Sequence, residues 1–119
     1  MDYPSGGEDL VPRTKLTPDV LALIGERFKV LGEPVRLDIL QALRGGELTV
    51  TQLVDKTGFA QGNVSKHLQL LHAHGFVTRR KEGLYVRYAI ADRSVFRLCE
   101  IMCDRLNDHA VSRRRLLAS

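Results

Sequence analysis

Apolar positions recur along the chain with two different periods, and the change from one to the other marks out the elements. From Thr17, an N-cap residue followed by Pro18, the apolar residues Val20, Leu21, Leu23, Ile24, Phe28 and Leu31 keep helical spacing until Gly32, which predicts a first helix. Pro34 opens a second, with Val35, Leu37, Ile39, Leu40 and Leu43 apolar and Gly45-Gly46 as its stop. Glu47 to Val50 reads as a short extended link. Thr49 or Thr51 caps a short third helix that turns Leu53 and Val54 inward and closes at Gly58. Ala60 or Gln61 starts a fourth that runs to Gly75, joined to the third by a tight glycine-containing turn. Beyond Gly75 the period shortens to two. Phe76 and Val77 lead into the polar run Thr78 to Glu82, Gly83 makes a turn, and Leu84 to Ile90 is rich in β-formers, which predicts a hairpin. Asp92 starts the last helix, with Val95, Leu98, Cys99, Met102 and Leu106 on one face.

Helix, helix, short helix, turn, helix, two-stranded wing, helix is the order of a winged helix-turn-helix domain, mostly α with a small β-hairpin. Residues 1–16 carry Pro4, Gly6, Gly7 and Pro12 without a period and are expected to form a loosely ordered arm. Residues 17–111 form the domain, and 112–119 a basic C-terminal tail. The length of 119 residues suits one domain, and 44% hydrophobic with 27% charged residues is enough to fold it. No apolar stretch approaches the roughly 20 residues that cross a bilayer. The opening MDYPSGGEDL lacks the features of a signal peptide, and two cysteines are too few for a disulfide scaffold, so a cytoplasmic protein is expected.

Charge sharpens this picture. The formal net charge is +4, and residues 61–88 carry all of it, with Lys66, Arg79, Arg80, Lys81 and Arg87 against Glu82. At about 100° per residue, Val64, Leu68 and Leu71 of the fourth helix face the core. Gly62, Lys66 and Gln69 then lie opposite, flanked by Asn63 and Ser65. Gln and Asn can pair with adenine edges in a major groove, and Lys can reach guanine or phosphate. Ser65, or the helix N-terminus at Gln61, can hold a phosphate oxygen, and Gly62 permits close approach. A polar helix face alone is ordinary. Three consecutive basic residues, Arg79 to Lys81, on a hairpin that also carries Arg87 and stands beside this polar helix, turn the reading toward double-stranded DNA. His67, at the core edge, is a packed side chain or a phosphate contact; His72 and His74 read as ordinary helix-end histidines.

The runs FKVLGEPVRLDILQAL, GELTVTQLVDKTGFAQGNVSKHLQLLHAHGFV and RRKEGLYVRYAI resemble the ArsR/SmtB family of dimeric, effector-responsive bacterial repressors, over roughly residues 20 to 110. The resemblance implies a homodimer in which the first and fifth helices pack across a two-fold axis. It also implies that two recognition helices enter successive major grooves of a pseudo-palindromic operator. The fifth helix agrees in part, because its continuous apolar face has little of this small domain to cover it.

The resemblance further implies that a metal or an oxidant, acting on thiols or imidazoles, releases the DNA. The family's thiolate pair on the third helix, ELCVCDL, reads ELTVTQL here, with Thr49 and Thr51 in place of the cysteines, and hydroxyls are poor ligands for soft metals. A second family site falls at Asp92, Ser94, Arg105 and Asp108, where Ser94 and Arg105 depart from the pattern, so a tetrahedral zinc site is not expected there. There remain Cys99 and Cys103, one helical turn apart. They could hold a soft metal or metalloid ion, with Cys, Asp104 or His109 of a neighbouring copy completing the ligand set. They could equally act as a sulfur or redox switch. A direct disulfide is hindered, since nearly parallel Cβ vectors must close to about 3.8 Å. As free cysteines they also read simply as small apolar core residues. The competing functions are a winged-helix regulator without a thiol effector, a protein-interaction module and a thiol enzyme. The concentrated charge argues against the interaction module. The enzyme has no nucleophile elbow, no Cys-X-X-Cys motif and no room for a deep pocket, so none is expected.

Overall fold

The computed structural model of the protein describes residues 15–118. Helix α1 (Pro18–Leu31) is followed by α2 (Pro34–Ala42), a 3-10 turn at Leu43–Gly45 and a two-residue strand β1 (Leu48–Thr49). Then come α3 (Val50–Thr57), α4 (Gln61–Ala73), the hairpin strands β2 (Val77–Glu82) and β3 (Tyr85–Ile90), and a long α5 (Ser94–Ala118). The winged helix-turn-helix order expected from the sequence is the one observed.

The caps explain the boundaries. Thr17 accepts from the Val20 N–H at the start of α1, and Pro18 follows it. Thr49 and Gln52 form a reciprocal capping box at the start of α3. Gly58 ends α3 at φ +80°, a left-handed conformation that permits the tight turn into α4. Ile39, Leu40, Leu43, Leu53, Val64, Leu68, Leu71, Phe76, Val77 and Val95 form the centre of the core, to which every element except α1, β1 and β3 contributes at least one almost fully buried side chain.

Two features differ from the sequence expectation. The link after the second helix is a strand: Leu48 pairs with Tyr88 and Thr49 with Arg87, which makes a three-stranded antiparallel sheet in the order β1-β3-β2. The basic run that was expected to be a separate tail is the last part of α5, since no glycine or proline interrupts the chain after Gly83 and Arg, Leu and Ala all favour helix. As the apolar face of the fifth helix leads one to expect, α1 and α5 bury only Val30, Leu31, Val95 and Phe96, while Leu23, Phe28, Met102 and Leu106 are each more than half exposed. Most of the arm expected at residues 1–16 lies outside the described residues.

Candidate nucleic-acid interface

Helix α4 is placed by its inward side, where Val64, Leu68 and Leu71 are buried completely against the core. Its opposite side carries Gln61, Gly62, Asn63, Lys66 and Gln69, all exposed, with Ser65 half-buried beside them. This is the arrangement the helical period predicts. Ala60, at the N-cap, has no side-chain oxygen to offer, so the first-turn N–H groups of α4 have no side-chain cap.

Lys66, His67 and Gln69 share the wall of an open groove of about 430 Å³ with Arg36, Leu70 and Ala73. Arg36 is a residue the sequence reading did not single out. Its guanidinium donates to the Val30 and Lys29 carbonyls at 2.5 and 3.3 Å, closing the end of α1, and its third nitrogen lies 3.3 Å from His67 Nδ1. Burial first, and the Arg36 charge second, hold the His67 pKa below its ordinary value. A neutral imidazole accepting from Arg36 is the state that fits this contact.

On the wing, alternation along the strands puts Arg80 and Glu82 on one face together with Arg87, which pairs opposite Arg80. Arg79 and Lys81 take the other face. Arg80 is held by two carboxylates, Glu47 at 2.6 Å and Glu82 at 2.5 Å, and Arg87 lies 3.6 Å from Glu82. Glu47 and then Glu82 raise the Arg80 pKa, while Arg80 and Arg87 lower that of Glu82. Of the five cations in this segment, Lys66, Arg79 and Lys81 are in no salt bridge among the described residues.

Cys99 on α5 is half-buried, Cys103 is exposed, and both are free thiols. Asn107 Nδ2 approaches Cys103 Sγ at 4.0 Å. Among the described residues no group of three or more His, Cys, Asp or Glu side chains converges as a metal site. The alternative ligand positions have other partners. Asp92 accepts from the Ser94 N–H and hydroxyl and pairs with Arg27, and Arg105 pairs with Asp108 at 3.2 Å. Thr49 is committed to its capping box. Between α1 and the start of α5 lies a cavity of about 210 Å³, with Ile24, Phe28, Leu31, Phe76, Val95 and Leu98 in its wall.

Comparison with known proteins bears on this arrangement. Residues 33–79, from the start of α2 into β2, match the family described as bacterial regulatory protein, arsR family. A probable mercury resistance operon repressor of Streptomyces lividans is 38% identical over 68 residues, which cover 57% of this chain and 54% of that protein. The HTH-type transcriptional regulator CmtR of Mycobacterium bovis is 37% identical over 83 residues, covering 70% of this chain and 68% of the other. The chain thus spans about half the length of the first relative and two thirds of the second. The solution structure of the homodimeric winged helix-turn-helix DNA-binding domain of Mb0332 from Mycobacterium bovis, a possible ArsR-family regulator, superposes with a TM-score of 0.66 at 30% identity, over 89% of this chain and 93% of that one.

Proposed function

The chain belongs to the ArsR family of bacterial regulatory proteins, and from that premise we propose that it is a homodimeric transcriptional repressor. It binds a pseudo-palindromic operator in double-stranded DNA and releases it when a signal acts on Cys99 and Cys103. The observation that carries the DNA reading is the outward side of α4, a polar and cationic surface set on a fully packed core. Asn63 and Gln69 read base edges, and Lys66 reads guanine or grips phosphate. Gln61, Gly62, Ser65 and His67 lie against the sugar-phosphate backbone. Arg79 and Lys81 supply the phosphate contacts of the wing, with Arg80 and Arg87 behind them in their ion-pair network.

The exposed apolar sides of α1 and α5 support a two-fold pair, as does the homodimeric state of the Mycobacterium bovis domain. In such a pair the two α4 helices stand about one DNA turn, 34 Å, apart. The thiols support a soft-metal or metalloid signal, and the related mercury-resistance repressor carries such an ion in its name. Cys99 and Cys103 fit two positions around one ion, and further donors come from the second copy. A signal releases DNA only as far as it favours the dimer geometry that fits the operator poorly.

The test is fluorescence anisotropy of the reduced protein on a duplex from its own upstream region, titrated with salt and then with Cd(II), As(III) and an organic polysulfide. Salt-steep binding released by one of these, and retained by the double variant Cys99→Ala, Cys103→Ala, supports the whole reading. Binding indifferent to all three leaves a repressor whose cysteines are core residues. Absence of binding transfers the surface to a protein partner.

A further inference from the structure

One side chain of α1 touches both the end of α4 and the beginning of α5. Arg27 donates from Nη1 to the His74 carbonyl at 2.9 Å and from Nη2 to Asp92 Oδ2 at 3.2 Å. Its guanidinium lies over the Phe76 ring, 4.2 Å from the centroid. His74 is the C-cap of α4, where the helix carbonyls present their negative end. Asp92 is the residue whose other carboxylate oxygen accepts from the Ser94 N–H and so caps α5. Arg27 therefore joins the electronegative end of one helix to the anionic cap of another. The segment it spans is itself ordered by short bonds, from the Phe76 N–H to the Leu71 carbonyl at 2.9 Å and from the Ala91 N–H to the Phe76 carbonyl at 3.0 Å.

As an ion pair alone the contact is weak, because the Arg27 and Asp92 side chains are 47% and 36% exposed. Its content is geometric. A planar fork satisfies two acceptors on different elements while its face is fixed by an aromatic ring. The contacts join positions 47 and 65 residues apart. The same residue borders the cavity between α1 and α5, on the layer whose apolar surface is uncovered.

Resting on the DNA-binding reading above, we infer that Arg27 is a positioning residue that sets the pose of α4 from the α1–α5 layer. A displacement of α1 relative to α5 then reaches the carboxyl end of α4 directly through one guanidinium, in addition to the contacts of the core.

The test combines amide hydrogen exchange with operator anisotropy on the full chain, for the native protein, Arg27→Met and Arg27→Lys. Arg27→Met keeps an apolar stem over Phe76 and loses the fork. It is expected to exchange roughly tenfold faster at His74 to Phe76 and at the first turn of α5, with Val64 and Leu68 unchanged, the fold-change that follows loss of a hydrogen bond to a charged donor. Operator affinity is expected to fall by a similar factor while the salt slope stays the same, because Arg27 is not a phosphate contact. Arg27→Lys, with charge but no fork, recovers one helix end and not both. Unchanged exchange in Arg27→Met, uniform loss of protection through the chain, or full recovery by Lys each overturns the inference. If the native protein binds no duplex, the functional reading falls, and the exchange pattern still decides whether Arg27 fixes the two helix ends.

Discussion

Lys66 and Arg80 both belong to the basic segment, yet their charges are not equally available. Lys66 stands exposed on α4 with no carboxylate partner among the described residues, whereas Arg80 is enclosed by Glu47 and Glu82. Lys66→Ala is expected to weaken operator binding and to reduce the slope of log K against log salt by about one. Arg80→Ala should weaken binding with little change in slope, since it removes a neutralised charge and leaves two carboxylates near the phosphates. Anisotropy titrations at several salt concentrations separate the two. The excess of charge in residues 61–88 was legible in the sequence; its pairing was not, because Glu47 lies 33 residues before Arg80 and meets it only through the sheet. His67 gives a prediction in pH. Its pKa is held down in the folded protein by burial, Arg36 and Lys66, against an opposing pull from Glu33. The unfolded chain therefore takes up the proton first as the pH falls. Stability is complete above the ordinary imidazole range, declines as the pH drops through it, and levels off below the folded value. Thermal melts between about pH 7.5 and 5.5 should show a small decline that His67→Gln flattens.

At the level of elements, Thr49 does two jobs: it is the last residue of β1, paired with Arg87, and the N-cap of α3. Thr49→Ala removes one half of the capping box and is expected to lower stability by about 1 kcal/mol. Denaturant unfolding should show this as a lower midpoint with an unchanged m-value. The helices were legible because their periods and caps agree. Val64, Leu68 and Leu71 are buried as the 3.6-residue repeat requires, and Thr17, Gly58 and Gly83 stand at boundaries. The strand β1 was not legible, since two residues are too few to show a period and its partner lies in the hairpin. The length of α5 was misjudged for a different reason: Arg113 to Arg115 read as a solvated run, while nothing in their chemistry breaks a helix. Arg27 and Arg36 left no local sign, because an arginine on a helix is normally a solvated residue and the acceptors here lie on other elements.

For the whole molecule, the unfilled requirement is a cover for α1 and α5. Met102 is 61% exposed and Leu106 69%, on the same helix as the two thiols. Met102→Glu is expected to shift sedimentation from dimer to monomer and to lower operator affinity by at least about tenfold, because one copy engages only half of the site. A monomeric native protein, or a dimeric Met102→Glu, would overturn the assignment of this surface. The shape of α5 adds a mechanical consequence. Its 25 residues span roughly 37 Å at 1.5 Å per residue, and only Val95 and Phe96, in its first turn, are anchored in the core. It is a lever with its fulcrum beside Arg27 and Asp92. A swing of about 3 Å at the free end corresponds to about 5° at the fulcrum for an arm of that length. Movement imposed along the arm, from Cys103 outward, is thus geared down into a small and accurate rotation where α5 meets the rest of the domain.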